Sequence, residues 1–190
     1  MAVRRHIDQA LVVQTAIALA DANGFEAVTL AAVAEQLGIR IPSLYNHVSG
    51  LPGLRYQMSL WMLRELAEQM RRAAVGRAGG DALMGMADAY RALAHAHPGI
   101  YRASLRAASP HEPELTAAAN ELLDLLFVTL RPYNLNTEDM LHTIRALRSV
   151  LHGFVDLETS GGFAMSLDLD ESFHRLMRAF ISAIQASAEA

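Results

Sequence analysis

The sequence predicts an all-α protein: an N-terminal three-helix domain of the helix-turn-helix type, a C-terminal helical domain and about nine helices in all. Apolar residues recur with a period near 3.6 along most of the chain, whereas the alternation typical of strands is hard to find. Glycine and proline separate these periodic segments, as at Asn23-Gly24 and Pro98-Gly99. A chain of 190 residues is long enough to bury a core without cross-links.

The composition excludes several classes of chemistry. The chain has no cysteine, which rules out disulfides, thiolate metal sites and a thiol nucleophile. All 16 basic residues are arginine, so Schiff-base chemistry and a phosphate-loop lysine are also ruled out. Neither a nucleophile elbow nor a metal-binding histidine pattern occurs. We therefore expect no catalytic residues, no metal site, no cofactor and no enzymatic activity.

The charge balance is acidic overall but differs between the two parts of the chain. The formal net charge is −4, which by itself argues against a nucleic-acid partner. Residues 1–78, however, hold eight arginines and six acidic residues, which is a small positive excess. Residues 79–190 hold eight arginines and fourteen acidic residues, so the acidic excess belongs to the C-terminal part. The sequence contains neither an 18-residue apolar run nor a signal-type segment, so we expect a cytoplasmic protein without membrane contact.

Start and stop signals define three short helices near the N-terminus. The first carries an apolar face and ends at Asn23-Gly24. Thr29 can cap the second helix, and Gly38 ends it. Pro42 suits the first turn of the third, which is predicted to continue to about Val48.

The second and third helices have the pattern of a helix-turn-helix. Gly38 permits the steep reversal between them, and Ala34 is small enough for the two helices to cross closely. In such a motif the second helix enters the major groove of DNA, where its polar side chains meet phosphates and base edges. The polar residues expected on the outer side of that helix are Arg40, Ser43, Tyr45, Asn46 and His47.

The remaining helices follow in a regular order. A long helix is predicted over about residues 51–74 and ends before a glycine-rich segment. The later helices are predicted at about residues 81–96, 99–107, 113–131, 137–158 and 170–187. The predicted domains are residues 1–50 for the helix-turn-helix, 51–78 for a linking helix and 79–190 for the C-terminal domain.

Three segments together resemble the tetracycline-repressor (TetR) family of one-component transcriptional regulators. They are Ala22-Asn-Gly-Phe25, Val28-Thr-Leu30 with Val33-Ala-Glu-Gln-Leu-Gly-Ile39, and Ser43-Leu-Tyr-Asn-His-Val48. The resemblance covers about residues 7–60. It implies an N-terminal DNA-binding domain, a linking fourth helix and a divergent C-terminal domain that binds a small-molecule effector and forms a homodimer.

The resemblance also implies roles for individual residues. Thr29 matches a family residue that meets a phosphate, and Tyr45 and His47 match a pair that contacts the DNA backbone. Arg40, Ser43 and Asn46 are then the candidates for base edges or nearby phosphates. This chain departs from the family at the start of the fourth helix, where Leu51-Pro-Gly53 replaces the usual lysine, so Arg4 and Arg5 also become candidates for DNA contact.

Leu151-His-Gly-Phe154 resembles part of the C-terminal domain of a TetR subgroup named for a Trp-His-Gly motif, with Leu151 at the tryptophan position. Candidate effector-binding residues in this domain are Tyr90, Tyr101, Phe127, His142, Arg145 and Phe163. Core packing is an alternative for each aromatic residue, and His152 and Arg145 could serve a pocket, an interface or the core. Candidate dimer-interface residues are Leu147, Leu151, Phe154, Phe173, Met177, Phe180 and Ile184.

The expected function is that of a ligand-responsive repressor that an effector releases from double-stranded operator DNA. The alternative is a helical ligand-binding or protein-interaction module that does not use DNA, which the acidic balance and the missing lysine favour. Residues 1–56 hold four arginines and four acidic residues, so we expect DNA binding with a shallow salt dependence.

Overall fold

A computed structural model describes residues 6–101 and 112–188 of the chain. Nine α-helices and two short 3-10 turns form this part, and the described residues contain no β-strand. The predicted all-α fold is therefore confirmed. In the same ranges no helix is both long enough and apolar enough to cross a lipid bilayer.

The helices cluster into two compact units. The first unit comprises the described parts of Met1–Arg64 and His97–Thr116, and the second those of Glu65–Ala96 and Ala117–Ala190. This division differs from the predicted boundaries, since the linking helix belongs half to each unit and residues 97–116 join the N-terminal residues. Helical periodicity reports which residues are buried but not which neighbouring helix buries them.

The first unit begins with α1, Gln9–Asn23. The Asp8 side chain caps this helix by accepting a hydrogen bond from the Leu11 amide at 2.8 Å. Gly24, at φ 88°, ends it. The apolar side of α1 lies in the core through Val12, Val13, Ala16, Ile17 and Ala20.

The two helices of the predicted motif follow as α2, Leu30–Leu37, and α3, Ile41–Leu44. Gly38 lies between them in the left-handed conformation, at φ 68°, as the steep reversal requires. The α3 helix is shorter than predicted. The amides of Asn46 and His47 bond to carbonyls three residues back rather than four, so the chain tightens into turns after Leu44.

A long helix, α4, Gly50–Ala74, and a short one, α6, Pro98–Tyr101, contribute to the first unit. The α6 helix packs against α1, and a Cβ added at Gly99 would overlap the carbonyl oxygen of Ala20. Glycine is therefore required there by close backbone approach rather than by φ. The predicted helix over 99–107 lies mostly outside the described residues.

The second unit is built from α5, Gly79–Ala96, α8, Thr137–Thr159, and α9, Leu169–Ala188, together with most of α7, Pro113–Leu130. The α8 and α9 helices both pack against α5. Their boundaries agree closely with the sequence prediction because each has a marked start. Asn136, for example, caps α8 by accepting a hydrogen bond from the Asp139 amide at 2.9 Å.

Candidate functional site

The N-terminus of α2 presents an exposed threonine. Thr29 Oγ1 accepts a hydrogen bond from the Ala32 amide at 3.1 Å and thereby caps the helix. Because a hydroxyl both donates and accepts, the O–H of Thr29 can still donate to another group. The positive end of the helix dipole lies at the same place, which favours an anion.

Polar side chains lie just before α3, on its outer side and in the turn after it. Arg40, Ser43, Tyr45 and Asn46 are exposed, and His47 is half-buried. Within the described residues, none of these side chains forms an intramolecular hydrogen bond or ion pair. Tyr45 is the most open of the large side chains here, with 61% of its surface exposed. All five groups are therefore available to a partner.

The opposite side of the motif holds it rigidly against the rest of the unit. Leu44 of α3 is 0% exposed, and Val33 and Ala34 of α2 are similarly buried. The amides of His47 and Val48 both bond to the Leu44 carbonyl, at 2.9 and 3.0 Å. The backbone that carries the polar side chains is thus fixed by packing and by hydrogen bonds.

An arginine that the sequence analysis did not single out supports the turn before α2. The Arg55 guanidinium donates to Glu26 at 3.1 Å and lies 4.7 Å from the centre of the Phe25 ring. Residues 6–55 contain two arginines, Arg40 and Arg55, and because Arg55 is paired with Glu26, Arg40 is the one without a carboxylate partner among the described residues. Only a tertiary contact across 29 residues reveals this, since no local motif links the two positions.

A second tertiary contact joins α1 to α6 within the first unit. The Asp21 carboxylate accepts a hydrogen bond from the Gly99 amide at 3.0 Å and lies 2.7 Å from Nδ1 of His97. The Trp61 ring packs edge-on against the His97 ring, with centroids 4.9 Å apart. His97 and its neighbour His95 have different carboxylate partners, and the described residues contain no cluster of three metal-ligating side chains.

The candidate effector-binding residues occupy different kinds of position. Tyr90 and Tyr101 are buried and Phe127 is half-buried, but Tyr101 belongs to the first unit and the other two to the second. His142 and Arg145 lie on the exposed side of α8, where His142 has only Glu138 nearby, at 3.9 Å. Phe163 follows α8 and packs on Phe154, with ring centroids 4.9 Å apart. The assignment of these residues to an effector pocket stays a prediction.

A cluster of paired charges lies inside the second unit. Arg91 of α5 donates through Nε and Nη2 to both carboxylate oxygens of Glu158 on α8 and through Nη1 to Asp170 on α9. His95 also contacts the Glu158 carboxylate, at 2.8 Å. The Arg91 guanidinium lies 5.0 Å from the Phe173 ring centre. One arginine thereby ties three helices together.

The electrostatics of this cluster follow from its burial and pairing. Only 14% of the Arg91 side chain and 8% of the Glu158 side chain are exposed. The hydrogen bond from Arg91 lowers the pKa of Glu158, against the opposing effect of burial. The hydrogen bond to Glu158 likewise raises the pKa of Arg91. Both groups stay charged and have little capacity left for a ligand.

The candidate dimer-interface residues are mostly part of the core of their own chain. Six of the seven are 9% exposed or less, namely Leu147, Leu151, Phe154, Phe173, Met177 and Ile184. Phe180 is half-buried. The exposed residues of α8 and α9 include arginines together with Ala146 and Ser149 on α8 and Leu176 and Ala179 on α9.

Comparison with known proteins identifies the family. A family model described as "Tetracyclin repressor-like, C-terminal domain" matches residues 83–180. The "Uncharacterized HTH-type transcriptional regulator YobS" of Bacillus subtilis is 32% identical over 185 residues, covering 97% of this chain and 96% of that protein. The chain belongs to the TetR family of HTH-type transcriptional regulators. Its membership in the Trp-His-Gly subgroup stays a prediction.

Other relatives agree with the TetR assignment. The "Uncharacterized HTH-type transcriptional regulator Rv0681" of Mycobacterium tuberculosis is 38% identical over 151 residues, which cover 79% of this chain and 69% of that protein. A solved protein of unknown function from Rhodococcus sp. RHA1 has the same fold, with a TM-score of 0.81, 15% identity and coverage of 96% and 98% of the two chains.

A structure solved with a ligand also shares the TetR fold. The Streptomyces coelicolor TetR family protein ActR, in complex with (S)-DNPA, superimposes with a TM-score of 0.70 and 20% identity, covering 95% of this chain and 98% of that one. The family model and the two HTH-type relatives confirm the sequence prediction of a TetR family regulator. Arg4 and Arg5, two of the candidates for DNA contact, lie outside the described residues.

Proposed function

We infer that this protein is a ligand-responsive transcriptional regulator that binds double-stranded operator DNA through α3. The observation that carries this proposal is the set of five polar side chains between residues 40 and 47 that have no partner among the described residues, opposite a fully buried Leu44. In this arrangement Thr29, Tyr45 and His47 contact phosphates. Arg40, Ser43 and Asn46 reach base edges or nearby phosphates.

The test is a gel-shift titration of the purified full chain with the DNA upstream of its own gene, at low salt and without added ligand. We expect a retarded complex whose affinity falls only shallowly as salt is raised, because, of the two arginines in residues 6–55, Arg55 is paired with Glu26 and Arg40 alone has no carboxylate partner among the described residues. In the same assay Arg40→Gln should weaken the complex, whereas the matched control Arg175→Gln, which removes the same charge from an exposed arginine of the second unit, should bind like the parent protein.

Two results would contradict this proposal. If no duplex is retarded, the alternative of a helical ligand-binding or protein-interaction module takes its place. If the affinity falls steeply with salt, several more phosphates are neutralised than these residues can account for.

The proposal includes a small-molecule effector bound by the second unit. Support comes from the shared fold of ActR, which was solved with (S)-DNPA, and from the aromatic residues Tyr90, Phe127 and Phe163 in this unit. Effector binding favours an arrangement in which the two recognition helices of a dimer no longer match successive major grooves, roughly 34 Å apart. Such a protein is a repressor released by its ligand, acting in the cytoplasm.

(S)-DNPA, followed by a panel of hydrophobic aromatic compounds, tests this part of the proposal. A true effector raises the unfolding temperature of the protein and releases it from DNA in the same concentration range, because it binds one conformation better than the other. A compound that stabilises the protein without releasing the DNA is a bound molecule but not the effector. The absence of any releasing compound from a broad panel would contradict ligand control.

The proposal also includes a homodimer formed through the outer sides of α8 and α9. The small residues Ala146 and Ser149, both exposed, and Gly153, half-buried, follow one another along α8 at spacings of three and four, which allows close helix approach. A Cβ added at Gly153 meets no atom of its own chain within 4 Å. Gly153→Glu therefore leaves the monomer fold intact while placing a charge on this surface.

Sedimentation velocity gives the oligomeric state. We expect the parent protein to be a dimer, Gly153→Glu to be a folded monomer, and Ala92→Glu, at an exposed position on α5, to remain a dimer. Circular dichroism verifies the fold of all three proteins. A Gly153→Glu protein that stays dimeric would show that this surface is not the interface.

A further inference from the structure

The first unit exposes its large hydrophobic side chains at one place. Within the described residues of this unit, the large hydrophobic residues with more than about a third of their surface exposed are Ile41 and Tyr45, at 41% and 61%. Both belong to residues 40–47, here called the recognition segment: Ile41 begins α3, and Tyr45 follows its last residue and keeps a helical backbone, so the two lie about one helical turn apart. Elsewhere in the described part of the unit, comparable side chains are packed in the core or partly covered.

The position of Ile41 within the segment is as informative as its exposure. Ile41 is the first residue of α3, between the exposed Arg40 and the exposed Pro42. In helix-turn-helix proteins the N-terminal residues of the recognition helix contact base edges. The role of filling the wedge behind α3 falls to Leu44, which is 0% exposed. Ile41 therefore faces the place where bases are read rather than the core.

The chemistry of an exposed isoleucine restricts what it can recognise there. An isoleucine side chain has neither a hydrogen-bond donor nor an acceptor, so it cannot form hydrogen bonds with the edges of the bases. The apolar group that DNA presents in the major groove is the 5-methyl group of thymine. Contact with that methyl group removes apolar surface of both partners from water.

We propose that Ile41 is a specificity-determining residue that reads the 5-methyl group of a thymine in each operator half-site, with Pro42 beside it as part of the same apolar contact. This inference rests on the proposed function, since it requires α3 to lie in the major groove. It assigns the polar candidates Arg40, Ser43 and Asn46 to neighbouring positions of the half-site. The preference at the Ile41 position is then for the methyl group itself and not for a hydrogen-bonding edge.

The first experiment selects binding sequences from a pool of random DNA duplexes, in parallel with the parent protein, Ile41→Ala and Ile41→Val. We expect the parent protein to enrich a symmetric motif and Ile41→Ala to lose the thymine preference at one position of each half-site, while Ile41→Val retains it in part. Val128→Ala is the matched control, because Val128 is a similarly exposed apolar residue of the second unit.

The second experiment removes the methyl group from the DNA. Deoxyuridine replaces thymidine at each position of the selected duplex, which leaves the Watson–Crick pair and the O4 acceptor unchanged. We expect the parent protein to bind about fourfold more weakly at the position read by Ile41, on the scale of one buried methyl group. Ile41→Ala should bind the two duplexes equally at that position and keep the parent preferences elsewhere.

The outcomes separate the two proposals. If the parent protein enriches no sequence, the proposed DNA-binding function itself fails. If it enriches a motif but Ile41→Ala retains the same loss on deoxyuridine substitution, the reading of thymine by Ile41 is overturned while DNA binding stands. If Ile41→Ala instead weakens binding equally on all sequences, Ile41 contacts the DNA backbone and the inference is likewise overturned.

Discussion

Two regions of the molecule contain both arginine and aromatic side chains. In one region the polar groups are exposed to solvent, and in the other they are buried and paired with each other. On α3 and the turn after it, Arg40, Tyr45 and Asn46 are exposed and have no partner within the described residues. In the second unit, Arg91 and Glu158 are largely buried and bound to each other, with Asp170 and the ring of Phe173 completing the cluster.

The difference separates polar groups that are hydrogen-bonded within the chain from polar groups that remain free to bind a partner. Removing a charged group from water is costly unless hydrogen bonds replace the lost hydration, so the Arg91 cluster is saturated by its own chain. The groups on α3 remain in water, and their binding capacity is intact. Satisfied charges therefore indicate a role in stability, whereas exposed polar groups on a rigid helix indicate recognition. Three experiments test this contrast, from the largest expected effect on stability to the smallest.

Arg91→Met should lower the free energy of unfolding the most. It keeps much of the side-chain volume but leaves the buried carboxylate of Glu158 without its main partner, which is expected to cost about 3 kcal/mol of the free energy of unfolding. Urea denaturation measures this loss. Arg175→Met is the control, because Arg175 pairs with Glu171 at the exposed surface, and it should unfold like the parent protein. Equal behaviour of the two variants would show that the Arg91 cluster is not a stabilising element.

Lowering the pH should reduce the free energy of unfolding by a smaller amount through the same cluster. The pKa of Glu158 is lower in the folded protein than its usual value of 4.5, so the ionised form favours folding. Its contribution is complete above about pH 4.5 and is lost as the pH falls through the lowered pKa. Exposed carboxylates such as Glu68 have lowered pKa values as well. The loss of stability on acidification must therefore be compared between the parent protein and a variant that lacks the partner of Glu158.

Urea denaturation between pH 7 and pH 3 should show a steeper loss of stability for the parent protein than for Arg91→Met, in which Glu158 no longer has the partner that lowers its pKa. Parallel curves for the two proteins would contradict the assigned cause of the shift.

Substitutions on the recognition segment should have the smallest effect on stability and a large one on binding. Tyr45→Ala removes an exposed side chain, so the free energy of unfolding should stay within about 0.5 kcal/mol of the parent value. Affinity should fall about tenfold on all sequences, because a phosphate contact carries no sequence information. Asn46→Ala should instead relax the preference at one base position. Quantitative footprinting distinguishes these patterns, and unchanged footprints for both variants would remove α3 from the binding site.

Much of the fold was predictable because the helices are amphipathic and their ends are marked. Thr29 and Gly38 bound α2 as predicted, and Asn136 begins α8 where acidic residues follow it. The length of α3 was not predictable, because the turns after Leu44 depend on hydrogen bonds of the backbone and not on a stop residue. The packing of α6 was not predictable either, since nothing local to residues 98–101 shows that they pack with α1.

Parts of the candidate site were predictable for a similar reason. Arg40, Ser43, Tyr45 and Asn46 were assigned to the outer side of a helix, and the structure places all four at the surface. The apolar stripes of α8 and α9 predicted burial, but periodicity gives the same signal whether the burying partner is the same chain or a second copy. Most of the residues assigned to the dimer interface are accordingly covered by their own chain.

The sequence by itself determined the all-α class, the helix-turn-helix and the family, because these depend on local spacing, caps and the few residue types that a tight helix reversal permits. Only the tertiary structure decided which charges are satisfied. Arg91 meets Glu158 across 67 residues, and Asp21 meets Gly99 across 78. Such contacts depend on how separate helices pack, and no local pattern encodes them. That same packing leaves the polar side chains of α3 in water, available to DNA.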